Sequence, residues 1–387
     1  MSAEPFRRGV LESLGATPET IDEILVYGEN RFADARDGSA NRLPLADEPA
    51  VETWREYAES ASEIGVFAEL RKRLVQFRFP IREGSRGDAV YRAATLRGIA
   101  PDPESHPPEE GLELEASEGL RLEITPTPAG HVPVLVTDSR ADFVSLIRAL
   151  AGRNEPVPVP ASQGACMITG LPNWDRIHRH RARWESTLPS PVDEARWREE
   201  FQRLTKSPER YQDRLMILWT GPYSGLPAAA VGLEEDAWRE QSLVIRREHE
   251  ATHYLTKRLF DSMRNNLLDE LIADYSGIAA AAGRYRADWA LAFLGLESYP
   301  SYREGARLEN YRGDPPLSDE ALAIVHTLVY RAARNLEAMS IEPSVAGPGI
   351  DLRWRVVLGL TRLTLEELAS DEAEARLSAA IRSFDAT

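Results

Sequence analysis

Apolar and polar positions change period twice along the chain. Up to about residue 100 the spacing is helical and polar. Thr17 and Pro18 read as the N-cap and first position of a helix toward Tyr27, and Val51 to Leu74 reads as a longer amphipathic helix. Ala100 to Gly111, rich in Pro and acid, reads as a linker. Then the period becomes two. Leu112-Glu113-Leu114-Glu115 and Leu120 to Ile124 predict paired strands, Val132 to Thr137 a third strand, and Asp142 to Ala151 a helix. Arg153 to Pro160 is a Pro-rich loop. Trp174 to Ser186 and Val192 to Thr205 are helical in pattern, and the apolar run Arg214 to Thr220 predicts a strand ending at Gly221-Pro222. Beyond it the helical period returns. Ser318 caps a helix through about Glu337, and Thr364 with Glu367 forms a capping box opening a helix from Leu365 to Ser383. No internal repeat is visible. These elements predict a helix-rich α+β fold in three regions: helical 1–100, α/β 111–230 and helical 231–387.

The longest helical pattern carries the chemistry. No Pro or Gly interrupts Glu234 to Met263, and Val244, Ala251, Leu255 and Leu259 recur at helical spacing as a buried stripe. Glu248 falls near that stripe, against the pattern. Within it stands His249-Glu250-Ala251-Thr252-His253, an HExxH pattern. Residues four apart share a helix face, so His249 and His253 are placed to grip one zinc ion. Glu250 then stands beside the water that such a metal activates and takes its proton.

A catalytic zinc usually has three protein ligands and an open position. Arg264-Asn265-Asn266 reads as a turn, and a new helix begins near Leu267. Glu270 lies in its first turns, with Asp274 four residues on along the same face. Glu270 is the candidate third ligand, and Asp274 the acceptor for the other ring N–H of a ligating imidazole. Asp269 and Asp274 stand as rival third ligands, and the bland alternative is a solvated acidic face.

HExxH followed by Glu-x-x-x-Asp on the next helix resembles the gluzincin-type zincin metallopeptidases. The likeness covers only about Leu243 to Gly283, and the sixteen residues between His253 and Glu270 are similar to the spacing of small gluzincin-like domains. It implies a zincin-like core with a small mixed sheet, an HExxH helix, and strands of 111–230, Arg214 to Thr220 first among them, bordering the substrate cleft. It also implies His249, His253 and Glu270 as zinc ligands, Glu250 as general base and Asp274 behind the metal. Gly130 to Thr137 and Gly164 to Ile177 also resemble strings of an uncharacterised family of bacterial proteins, which implies no substrate.

Composition narrows the partners. The 387 residues carry a formal net charge of -16, which argues against nucleic acid and anionic membrane surfaces. Cys166 is the single cysteine, so an internal disulfide or Cys-based zinc site is excluded. The N-terminus lacks the apolar core of a signal peptide and no run approaches a membrane span, so a cytoplasmic location is expected. The predominance of Arg among the basic residues suggests a high-GC bacterial source.

Hydrolysis needs a group to polarise the substrate oxygen. His326 and Tyr330, four apart on the later helix, are candidates, with Tyr254, Tyr275 and Tyr223 as rivals. His326 also suits a core position among Ile324, Val325, Leu328 and Val329. His178 and His180 are two apart among Arg176, Arg179, Arg181 and Arg183, which repel a cation; a basic face suited to a substrate carboxylate is the better reading. Gly221 to Gly225 matches neither a phosphate loop nor a nucleophile elbow and reads as a turn. The expectation is a hydrolase of metallopeptidase type with one Zn2+ per chain, acting on a peptide or small amide. The alternatives are a zinc or Fe(II) enzyme of small-molecule metabolism and a non-catalytic metal-stabilised binding module.

Overall fold

The computed structural model describes residues 3–32, 43–107, 110–188, 193–262, 266–339 and 351–385. The chain falls into two compact units, one of residues 46–221 and the other of 1–45 with 222–387. Among the described residues every strand lies in the first of these, so the class is helix-rich α+β.

The sheet unit holds four strands: β1 Arg121–Thr125, β2 Val132–Thr137, β3 Ala165–Pro172 and β4 Gln212–Trp219. Their order is β1-β2-β4-β3, with β2 and β4 parallel and both outer pairs antiparallel. β2 is buried at all six positions and β4 is apolar at its centre, as expected of inner strands covered on both faces. β4 is paired on each side, so it offers no free edge to an extended peptide. The helices Ala50–Ile64 and Arg140–Leu150 supply Trp54, Tyr57, Phe143 and Leu146 to a core shared with Leu135, Leu215 and Ile217.

Two expectations are corrected here, and one strand is added. Leu112 to Glu115 is not a strand: Leu112 is buried, its N–H bonds the Phe77 carbonyl at 3.0 Å, and Asp142 accepts the amides of Glu115 and Ala116. Anchored to a loop and a helix start, its backbone has no ladder to join, and β1 pairs with β2 instead. The helix expected over Val51 to Leu74 is two, Ala50–Ile64 and Val66–Arg73, broken at Gly65 with φ +87°. β3 was not foreseen. It bulges between Ile168 and Leu171 at Gly170 (φ +70°), which spoils its alternation.

In the helical unit, Thr17 caps the helix Pro18–Tyr27 by accepting the Thr20 amide, and Ser318 caps Asp319–Ala338. The Thr364–Glu367 capping box is present, but its helix ends at Ala369. The Ser370 hydroxyl accepts the Glu372 amide, and a separate helix runs Ala373–Asp385. At the centre stand Glu235–Phe260, the HExxH helix, and Leu267–Ala282, the acidic helix. A Cβ at Gly277 would lie 2.7 Å from the Ile245 carbonyl oxygen, so glycine there is what lets these helices approach so closely. No described helix is long and apolar enough to cross a membrane.

Candidate metal centre

The HExxH helix buries Trp238, Ser242, Ile245, His249, Thr252 and Thr256, a stripe at alternating spacings of four and three that fixes His249 inward. His253 is buried as well, while Val244 is half-exposed. Glu248, anomalous beside an apolar stripe, is explained by Arg353: this guanidinium binds Glu248 and the Ser276 hydroxyl. The acidic helix starts where Asn266 accepts the Asp269 amide at 3.1 Å. Of the turn expected at 264–266, Arg264 and Asn265 lie outside the described residues. From Leu267 to Ile278 every residue of the acidic helix is buried. Asp269, Glu270 and Asp274 are 1%, 5% and 0% exposed, which rules out a solvated acidic face.

Their contacts assign them separate places. His249 Nδ1 lies 2.9 Å from Asp274 Oδ1. The Tyr223 hydroxyl donates to the same oxygen at 2.8 Å, and the Arg307 guanidinium reaches both Tyr223 and Asp274 Oδ2. With Nδ1 donating to the carboxylate, His249 presents the lone pair of Nε2 on its far side. His253 is arranged likewise, its Nδ1 3.3 Å from Asp269 Oδ1 but off hydrogen-bond alignment. The two Nε2 atoms face each other at 3.1 Å, and Glu270 Oε2 and Oε1 lie 3.5 Å from Nε2 of His249 and His253. His249, His253 and Glu270 form the described group with donor atoms close enough to hold one metal ion. Ligand bonds of about 2.0–2.2 Å set at tetrahedral angles separate neighbouring donors by about 3.3–3.6 Å, which matches the two 3.5 Å edges of the triangle and lies a little above the 3.1 Å one. Asp269 and Asp274, the rival third ligands, instead face the outer nitrogens of the two imidazoles.

Burial and charge act against each other here. Burial pushes Glu270 upward, but His253, His249 and Arg307 hold its carboxyl below the ordinary range. Asp274 is lowered in the same way, with Arg307 and His249 overcoming burial. Burial raises Asp269 despite His253, and raises Glu250 despite both imidazoles. Four carboxylates therefore crowd two imidazoles and Arg307, an arrangement that a divalent cation relieves. Glu250 makes no hydrogen bond or ion pair among the described residues, although the charges of both imidazoles act on it. Tyr311 donates to Glu270 Oε2 at 2.9 Å, and Tyr27 bridges the Tyr311 carbonyl and the Leu267 amide at the start of the acidic helix.

His326 lies against Tyr302 at 5.1 Å with the rings tilted, and Tyr330 stacks on Tyr299 at 4.2 Å; neither contacts the cluster among the described residues. Arg307 and Tyr311, from the short turn Arg307–Tyr311, reach it beside Tyr223. Sequence reasoning named Tyr223 only as a rival and missed Arg307, Tyr311 and Tyr27. Tyr223, after Gly221-Pro222, carried a weak signal; the other three carried none. Of the paired histidines, His178 packs on Trp174 and His180 on Glu200.

No curated protein and no solved structure matches this chain. A family model matches residues 9–372, and the chain belongs to that family, described as a family of unknown function (DUF7005).

Proposed function

We propose that this protein is a zinc-dependent hydrolase of metallopeptidase type, with a gluzincin-like site that cleaves a peptide or small amide. One observation carries the reading: two imidazoles backed by carboxylates and the Glu270 carboxylate turn three acceptor atoms on one point, with unbonded Glu250 on the same helix. His249, His253 and Glu270 would hold the ion. When bound, zinc supplies Lewis acidity that makes water a nucleophile near neutral pH and polarises the scissile carbonyl.

The chain's own residues do the rest. Glu250, whose basicity burial raises, takes a proton from the attacking water and passes it to the departing nitrogen. Asp274 orients the His249 imidazole through Nδ1, and Asp269 lies beside Nδ1 of His253. Arg307 and Tyr223 hold Asp274, and Tyr311 holds Glu270. A site for stability alone has no use for a free carboxylate such as Glu250, which favours catalysis over a binding module.

The test is hydrolysis of a mixed peptide and amide library by the zinc-loaded protein in 18O-labelled water. Product carboxylates carrying one solvent oxygen, absent with Glu250→Gln, support the reading. Products formed only by an Fe(II)-loaded sample run beside it in unlabelled water under 18O2, with their label from O2, assign the same ligands to Fe(II) oxygen chemistry and overturn it.

A further inference from the structure

The sheet unit contains a concave surface outside the metal chemistry. A cavity of about 610 Å3 opens between the helices Ala50–Ile64 and Trp174–Ser186, with Arg210 at its edge. Arg176, Arg179, Arg183 and Arg210 line it, against Glu52 and Glu56. These guanidiniums gather on one surface of a chain whose net charge is -16.

The four arginines are not equivalent. Arg176 is buried and committed to Asp213 and to the carbonyls of Gln212 and Glu209. Arg179 is held between Asp175 at 2.7 Å and Glu56. Arg183 donates through Nε to the Arg179 carbonyl at 3.3 Å; its terminal nitrogens and the whole Arg210 guanidinium meet no acceptor among the described residues. The Thr53 hydroxyl on the opposite wall is likewise unbonded among them. Arg181 on the same helix is balanced by Glu185 and Glu194, so among the described residues Arg183 is the arginine of this helix left without an acidic partner.

We propose that this cavity binds a small dianion with paired oxygens, the chemistry shared by phosphate monoesters and dicarboxylates, clamped by Arg183 and Arg210. A planar guanidinium fork matches two oxygens of either group. The paired Arg176 and Arg179 form a fixed floor, and the volume falls in the range of about 300–1,000 Å3 usual for small-molecule sites.

The experiment is calorimetric titration of the full chain at low ionic strength with inorganic phosphate and, separately, with succinate. Arg183→Ala, Arg210→Ala, the double variant and Arg198→Ala, an exposed arginine outside the cavity, run beside it. The expected result is saturable binding of at least one probe at about one site per chain. Each single substitution weakens it about tenfold or more, the double variant abolishes it, and Arg198→Ala leaves it unchanged. Saturation by phosphate alone assigns a phosphate monoester, by succinate alone a dicarboxylate, and by both the shared dianion. Absence of saturation with either probe overturns the proposal. So does a double variant that binds like wild type, the outcome expected of phosphate held at the metal cluster.

Discussion

Asp213 in the sheet unit and Glu270 in the helical unit are both carboxylates sealed from solvent, and their neighbours differ in kind. Asp213 receives the Trp54 indole N–H at 2.9 Å, the Asn173 amide at 2.7 Å and the Arg176 guanidinium. Donors answer its oxygens, and its charge is cancelled within the fold. Glu270 receives Tyr311 on one oxygen, but both oxygens also face the Nε2 atoms of His249 and His253 at 3.5 Å. Buried charge of the first kind holds a fold together. Convergence of acceptors, costly unless a cation is shared among them, is the mark of a site.

Four substitutions probe that contrast. The largest effect is expected at Glu250→Gln: metal and fold are kept, and amide hydrolysis falls by about 10²–10⁴-fold in single-turnover assays. If that variant loses metal instead, Glu250 is a ligand and the geometry is wrong. Next is Asp213→Ala, which strands Arg176 in the interior. It should cost about 3–5 kcal/mol in denaturant unfolding while metal content stays as in wild type. A change in metal content would show that the two clusters are not independent.

Asp274→Asn should weaken metal affinity by about 10–100-fold in competition with a chromophoric chelator. Because Asp274 also binds Arg307, a lower Tm should accompany the loss. The smallest effect has the opposite sign to Asp213→Ala. Asp269 is buried with neither oxygen hydrogen-bonded, so Asp269→Asn should raise the Tm of metal-free protein by ~1–3 °C while lowering metal affinity. A fall in metal-free Tm would mean that Asp269 is as well satisfied as Asp213.

The same contrast explains what the sequence disclosed. HExxH and the downstream Glu and Asp were legible because helix geometry turns spacing of four into a shared face. The acidic helix was legible as a helix, but not as one buried on every side; its mixture of Leu, Ile and Ala with three acids reads equally well as amphipathic. Arg307, Tyr311 and Tyr27 reach the cluster from elements whose approach depends on tertiary packing, and no periodicity encodes that. In the sheet unit β2 and β4 showed as apolar runs. β3 was hidden by its bulge at Gly170, and Leu112 to Glu115 imitated a strand because Leu112 and Leu114 both pack on the core beside a helix start without joining a ladder. Gly65 splits a helix whose periodicity runs through it undisturbed.

His249, His253 and Glu270 are assigned here to one metal ion. Inductively coupled plasma mass spectrometry of gently purified wild type and His249→Ala, with circular dichroism to confirm folding, tests this assignment most directly. About one zinc per chain in wild type and substoichiometric metal in the folded variant is the predicted result. Full zinc retained by His249→Ala would contradict it.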